Sequence, residues 1–247
     1  MRRVIIIILI LTYFINTAQS QVLNIEQQRI SDTAKFKADA RFSFMFVNNN
    51  IKFINTRAKL NMQKLVKKDK YIFVGEYDYI YNGSIKILNN AYIHLRYNRT
   101  LTKNIIFEAY NQEQNNLQRG VLFRALFGAG IRFKLHNTKK FILNFGNSYM
   151  FEYEKTPEII NKNIRMSSYV SEEIVLFKNI SLIGTMYYQP IIGRVEDYRI
   201  NAQANLKLII SKRTSFLLTL NYLYDSNPPI GITKTVSSII NEFVFTF

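Results

Sequence analysis

Apolar and polar residues alternate along long stretches of this chain. Over residues 119–135, one parity is apolar from Val121 to Leu135, whereas the other parity includes Arg124 and Arg132. Successive side chains of a β-strand point to opposite faces, so this pattern predicts a strand with one apolar and one polar face. The same period of two recurs over residues 140–154 and 196–211.

Turn residues divide the chain into about twelve such segments. The predicted strands cover residues 34–47, 50–65, 70–81, 90–98, 104–116, 119–135, 140–154, 163–177, 180–192, 196–211, 214–226 and 233–247. Their lengths exceed the roughly 5–6 residues of soluble strands and suit tilted strands that cross a membrane. The predicted fold is all-β, a transmembrane antiparallel up-and-down β-barrel of about 12 strands over residues 34–247.

An even number of strands would place both chain ends on the periplasmic side, where turns are short, and leave longer loops outside. Three longer outer loops are expected, at residues 82–89, 155–162 and 227–232. The outward parity near the outer strand ends is aromatic, which predicts an interfacial girdle. Its members are Tyr77, Tyr79, Tyr81, Tyr149, Phe151, Tyr153, Tyr222 and Tyr224. In residues 164–177, Ser168 and Glu172 fall on the apolar parity, and we expect a β-bulge to restore the register.

The N-terminus has the order of a secretory signal peptide. Two arginines precede a short apolar run, and Ala18 and Ser20 occupy the small-residue positions before a cleavage point. The run is shorter than the ~20 apolar residues of a spanning helix, which argues against an anchor. We therefore predict a signal peptide over residues 1–20 and a short periplasmic lead over residues 21–33.

Composition narrows the partners. The chain has no cysteine, so no disulfide stabilises the exported protein. The formal net charge is +16, but the lysines are dispersed and an exported protein rarely meets nucleic acid. Lipid of the outer membrane and lipopolysaccharide are the expected partners of this basic chain, and nucleic acid is not.

The C-terminal region carries motifs of a known family. Residues 227–231 read Asn-Pro-Pro-Ile-Gly, residues 126–132 contain a Gly-x-Gly strand, and Phe243, Phe245 and Phe247 share one face at the end. The chain thus resembles the salt-induced outer membrane proteins, a domain-of-unknown-function family, over most of its length and most clearly from Tyr92 onward. The residues after Lys234 depart from the family, since Val236-Ser237 stands where an acidic residue is expected.

This resemblance implies an outer-membrane β-barrel without a catalytic residue or an established solute. It also implies that the terminal phenylalanines, Phe243, Phe245 and Phe247, are the signal read by the barrel assembly machinery.

Catalytic chemistry is sparse. A barrel hydrolase needs a serine and a histidine together on the outer wall, but the two histidines, His94 and His136, lie far apart and neither has a serine two residues on. Two isolated histidines without cysteine also fail to supply a common metal cage, and no cofactor is expected. The chain is therefore predicted not to be an enzyme.

The charged residues form two predicted groups. Charged side chains on the inward parity would line the lumen: Arg57, Lys59, Glu76, Asp78, Arg96, Glu108, Arg124, Arg132, Arg199 and Lys207. Residues near the outer strand ends would form a rim that meets lipopolysaccharide phosphates or divalent ions, or is simply solvated: Arg119, Glu152, Glu154, Arg165, Arg194 and Asp197.

Lumen charges allow two arrangements, a wet channel or a narrow lumen closed by ion pairs, because charge at membrane depth must face water or another charge. We expect a non-enzymatic barrel, either a small and weakly selective passive channel or an envelope-integrity protein. The alternatives are an outer-membrane lipid hydrolase and a soluble periplasmic β-rich protein that binds lipid or another ligand.

Overall fold

A computed structural model describes residues 35–48, 52–83 and 85–247, which form a closed antiparallel barrel of twelve strands. The strands are β1 Phe36–Asn48, β2 Lys52–Val66, β3 Asp69–Asn82, β4 Ile85–Thr100, β5 Ile105–Asn116, β6 Val121–Asn137, β7 Phe141–Lys155, β8 Ile160–Phe177, β9 Ile180–Ile191, β10 Arg194–Ile209, β11 Thr214–Asp225 and β12 Thr235–Thr246. One 3-10 turn, Leu117–Arg119, lies between β5 and β6. The predicted fold class and strand number are confirmed, whereas the predicted signal peptide and lead lie outside the described residues.

Each strand pairs with the next one along the chain, and β12 pairs with β1 to close the barrel. This connectivity is the up-and-down arrangement that the regular turns predicted. With twelve strands, both ends of the barrel chain lie at the same end, which is the periplasmic end in barrels of this class. The opposite end is called the outer end below.

The two faces of the wall have opposite chemistry. Outward side chains such as Phe127 and Tyr149 are 52% and 61% exposed, whereas inward Arg132 and Glu152 are fully buried. An apolar exterior around a polar interior is the reverse of a soluble domain and is the arrangement of barrels in lipid. With this apolar exterior and polar interior, the barrel is an outer-membrane β-barrel. No helix in the described part of the chain is long and apolar enough to span a membrane.

The predicted aromatic girdle lies on the outward face. Tyr77, Phe151 and Tyr222 are each more than 40% exposed, and the inward neighbours Glu76 and Asp78 are buried. The outward position follows directly from the period of two, because the strand register keeps every second residue on one face.

The expected loop lengths were wrong at two positions. The strands β3 and β4 extend to Asn82 and from Ile85, so the loop expected over residues 82–89 is only a tight turn at Gly83. The connection between β7 and β8 covers only residues 156–159, where Thr156 donates to the carbonyl of Ile159 at 3.2 Å. Only the connection over residues 226–234 is long. The strands extend further than expected because backbone pairing can continue above the lipid. There the residues do not need to present an apolar face.

The bulge expected in β8 lies between Val175 and Phe177, where the pairing with β9 shifts register, and not beside Ser168 or Glu172. β8 pairs with β7 without a register shift from Phe141↔Ile174 to Lys155↔Ile160. Ser168 therefore stays on the outward face, where its hydroxyl accepts a hydrogen bond from Asn147 Nδ2 at 2.9 Å. The polar side chain is satisfied by a neighbour on the same face, so no change of register is needed.

The seam that closes the barrel is short. Pairing between β1 and β12 runs only from Asp39↔Thr246 to Phe42↔Phe243, although β11 pairs with β12 as far as Tyr224↔Thr235. In the described part of the chain, the outer half of β12 therefore has a ladder on one side alone. Phe243 and Phe245, at the paired end, are about half exposed on the outward face.

Candidate functional site

Eight charged side chains meet inside the outer end of the barrel. We call them the outer network: Arg119, Arg124, Arg165, Arg199, Glu152, Glu154, Asp197 and Asp225. They come from the 3-10 turn and from five strands, and each is at most 7% exposed. The four positive and four negative charges balance.

Arg199 on β10 joins strands that are not neighbours. Its guanidinium donates to Glu152 and, at 3.0 Å, to Glu154, and both carboxylates belong to β7. Its Nε donates to Asp225 Oδ2 on β11 at 2.8 Å. Because β7 and β10 are separated by two strands, this side chain crosses the lumen.

The other arginines complete the network. Arg124 Nε donates to Glu154 Oε2 at 2.6 Å, and Arg165 Nε donates to Glu152 Oε2 at 2.5 Å. Arg165 Nη2 also donates to Asp197 Oδ1 at 3.0 Å. Charge-assisted bonds of this kind are roughly twice as strong as neutral ones, and several per guanidinium are needed to offset desolvation.

The 3-10 turn places Arg119 over the lumen. The Asn116 side chain accepts a hydrogen bond from the Arg119 amide at 3.2 Å, and Gly120 ends the turn in the left-handed region at φ 65°. Arg119 then donates from Nη2 to Asp225 Oδ2 at 3.1 Å. This contact links the turn before β6 to the end of β11 across the mouth of the barrel.

The expected rim of charges at the outer end is therefore wrong in its location for five residues. Arg119, Glu152, Glu154, Arg165 and Asp197 are buried, and each is ion-paired within the outer network. The four strand residues lie on the inward parity, and Arg119 reaches the lumen from the 3-10 turn. In the lumen each of the five has an opposite charge within ion-pair distance.

Arg194 alone among the predicted rim residues has an exposed side chain, 54%, while it pairs with Asp197 at 3.2 Å. Binding of lipopolysaccharide phosphates at Arg194 stays a prediction.

The predicted lumen residues do face the interior, and most of them are ion-paired. Arg57 donates to Asp78 at 2.6 Å, and Lys59 lies 3.4 Å from Glu76. These pairs join β2 and β3, which are adjacent in the barrel wall. Lys207 lies on the inward face of β10 towards the periplasmic end.

A second buried group lies nearer the periplasmic end. Arg132 Nη2 is 2.5 Å from Glu108 Oε1, and Arg96 Nη1 is 3.8 Å from Glu108 Oε2. Tyr169 on β8 donates to Glu108 Oε2 at 2.7 Å, which again crosses the lumen. Of the two arrangements that the sequence allowed, the structure has the lumen with ion pairs.

A cavity of ≈ 80 Å³ separates the two charged groups. On this measure a water needs roughly 10–15 Å³, so the cavity has room for only a few. The interior is thus a constricted lumen. We call this chamber the central cavity, and a further cavity of ≈ 170 Å³ lies nearer the periplasmic end.

The histidines do not form a reactive pair. His94 is fully buried on the inward face, 3.2 Å from Gln112 Oε1, and His136 packs against Phe141 near the periplasmic end. No group of three carboxylates and histidines in the described residues is placed to hold a metal ion.

The sequence pattern missed Asp225 as a member of the outer network. It has the inward parity of β11, but Leu217 and Leu223 share that face, so the strand lacked a clear polar side. The predicted segment 214–226 already contained Asp225, so the parity of Ser215, Thr219 and Asn221 could have placed it in the lumen.

The chain matches the model of one protein family over residues 47–247, and this family is described as a protein of unknown function, DUF481. No curated protein matches the chain. The predicted membership of a domain-of-unknown-function family is confirmed.

Two solved structures have a similar fold. The NanC porin has a TM-score of 0.53 and 10% identity, over 85% of this chain and 97% of that chain. An outer membrane channel from Pseudomonas putida F1 has a TM-score of 0.54 and 10% identity, over 92% of this chain and all of that chain. At this identity the likeness concerns the fold, and it agrees with a barrel wall built for the outer membrane. On the family match, the chain belongs to DUF481, a family of proteins of unknown function.

Proposed function

We propose that this protein is a narrow passive channel of the outer membrane, closed in its resting state by the outer network. The observation that carries the proposal is the position of Arg199, whose guanidinium reaches from β10 to carboxylates on β7 and β11. A side chain that crosses the lumen obstructs passage, and its displacement opens the lumen.

The lining supports a passage beyond the outer network. Polar residues continue along the inward face to the periplasmic end, among them Asn144, Asn205 and Thr219. A polar lining at membrane depth is stable only if the groups pair or meet water. Because positive and negative charges balance in the outer network, we expect a weakly selective channel.

The test is a conductance measurement on Arg199→Ala in planar bilayers. Its removal leaves three carboxylates without this guanidinium and opens space across the lumen. We expect wild type to show rare, small steps, whereas the variant shows at least a severalfold larger open fraction and prefers cations over anions.

Arg194→Ala is the matched control, because it removes an arginine of the same strand whose side chain is exposed. We expect it to conduct like wild type. If wild type and Arg199→Ala are both silent in every salt and at every voltage, the channel proposal is rejected.

One observation favours a second candidate, an envelope-integrity protein without transport. Every carboxylate of the outer network has at least one arginine partner, which is an arrangement suited to a permanent closure. The same recordings separate the candidates, since silence of both proteins supports the second one.

A further inference from the structure

We infer that the central cavity is a binding site for a small neutral polyol of about three to four carbons. The cavity lies under the outer network and is lined mainly by uncharged polar groups and rings, including Gln112, Ser148, Gln189, Asn201, Tyr110 and Tyr187. The inference deepens the proposed function, because a polyol bound here would belong to the class of solute that the channel passes. Its consequence for transport rests on the proposed function.

Two buried atoms at the cavity lack a hydrogen-bond partner in the described part of the chain. Asn201 Oδ1 is an acceptor and Arg119 Nε is a donor, and the residues are 9% and 3% exposed. An unmet buried polar atom costs about 1–3 kcal/mol, so each favours a ligand that completes its bonding. A hydroxyl group both donates and accepts, and a polyol therefore meets both needs.

The remaining polar groups are held in place by their own bonds. Asn201 Nδ2 donates to Gln189 Oε1 at 3.1 Å, and Gln189 Nε2 donates to Ser167 Oγ at 3.0 Å. On the facing wall, the hydroxyls of Tyr110 and Ser148 are 3.0 Å apart. A fixed set of polar groups loses little conformational entropy when a ligand binds.

The charge around the cavity is compensated. Arg124 lies 3.3 Å from Glu152 above the cavity, and Arg96 lies 3.8 Å from Glu108 below it. A charged ligand would have to displace one partner of such a pair. The other partner would then be a buried charge without compensation in a medium of low dielectric constant. The walls therefore favour a neutral ligand.

The apolar part of the site is provided by three side chains that also line the cavity, Leu126, Met150 and Leu223. The C–H groups of a polyol can pack on such a surface while its hydroxyls point to the amides. Because the cavity of ≈ 80 Å³ is small, we expect a short polyol such as glycerol or erythritol to fit it better than a six-carbon polyol.

The experiment measures binding of erythritol to the purified full barrel in detergent micelles, by saturation-transfer NMR. Mannitol tests the size limit, and glycerate tests the preference for a neutral ligand. We expect transfer to erythritol and little or none to mannitol and glycerate. Absence of transfer to erythritol, or equal transfer to glycerate, overturns the inference.

The variant Asn201→Leu removes the unmet acceptor and should weaken erythritol binding about tenfold, the value of one hydrogen bond. Gln203→Leu is the control, because Gln203 lies on the same face of β10 outside the cavity lining. Arg119→Lys removes the unmet Nε donor but keeps the charge near Asp225, and it should also weaken binding. Equal binding by Asn201→Leu and the control contradicts the site.

Flux into liposomes keeps the two proposals distinct. Erythritol binding without any flux or conductance rejects the channel and leaves the binding site. Conductance of ions without erythritol binding rejects the site and leaves the channel.

Discussion

A single buried arginine illustrates how the interior is stabilised at the residue scale. Arg132 is fully buried and pairs with Glu108 at 2.5 Å, and Glu108 also accepts a hydrogen bond from Tyr169. Removing one partner of such a pair leaves the other charge in a low dielectric without compensation. The formed pair therefore adds little to the free energy of folding, whereas removal of one partner destabilises the barrel strongly.

We expect Arg132→Met to destabilise the barrel by about 3–5 kcal/mol, because Glu108 loses its close cation. The measurement is the urea midpoint for loss of the compact, heat-modifiable gel band. The control is Arg99→Met, which removes an arginine whose side chain is 54% exposed and should leave the urea midpoint close to that of wild type. Glu108→Gln added to Arg132→Met should recover part of the lost stability. If Arg132→Met and Arg99→Met had equal effects, the lumen around Arg132 would be hydrated.

Strand parity predicted the direction of individual side chains well but not their partners. Arg57, Arg124 and Arg199 were placed in the lumen by the period of two alone. Glu152 and Arg165 have the same parity but were expected at an outer rim, because a sequence does not tell how far a side chain near a strand end leans over the lumen. The pairs themselves join strands distant in sequence, such as β7 and β10, and no local pattern encodes that distance.

The weakest element of the barrel is its seam. β12 and β1 pair only up to Phe42↔Phe243, whereas the neighbouring ladders run along whole strands. Unpaired backbone groups at membrane depth cost several kcal/mol each unless another group or water satisfies them. The outer half of the seam is therefore where we expect the wall to open most readily.

Hydrogen exchange can detect this asymmetry within one strand. The Phe247 amide donates to Ala38 on β1, and the Thr246 amide donates to Arg213 at the start of β11, so odd amides of β12 face β1 and even ones face β11. We expect the amides of Ile239 and Asn241 to exchange at least about tenfold faster than that of Ile240.

The amide of Phe245 is the internal control, since it faces the paired part of the seam and should be protected. Equal protection of Ile239 and Ile240 would mean that β1 and β12 pair along their full length.

The strands themselves were largely predictable, and the connections were not. The predicted segment 140–154 agrees with β7 to within one residue at each end, because the alternation is strong there. The segment 90–98 underestimates β4, since the turn at Gly83 is tight and the strand already begins at Ile85 and includes the polar Asn89. Turn residues mark where a strand can end and not where it does.

At the scale of the whole molecule, the interior and the exterior divide the residues by chemistry. The inside is constricted by balanced ion pairs and contains small polar cavities, whereas the outside is apolar and aromatic. A soluble β-sandwich would need the reverse arrangement. A membrane barrel is expected to have its outward face in contact with lipid hydrocarbon. That contact can be measured.

An arginine scan of the outer wall measures that contact. Ala129 lies at the middle of β6 on the outward face, and Ala38 lies outward near the periplasmic end of β1. In a membrane barrel an outward arginine costs about 2–4 kcal/mol at mid-depth and about 0–1 kcal/mol near an interface, where the side chain reaches water.

We therefore expect Ala129→Arg to lower the free energy of unfolding in lipid vesicles by about 2–4 kcal/mol, and Ala38→Arg by at most about 1 kcal/mol. Urea titrations followed by the heat-modifiable gel shift give both values on the same protein. In detergent micelles, which adapt around a charged side chain, the difference between the two variants should shrink. A soluble fold would show little cost at either alanine, because an exposed arginine would simply face water, so a null result at Ala129 would contradict the membrane barrel itself.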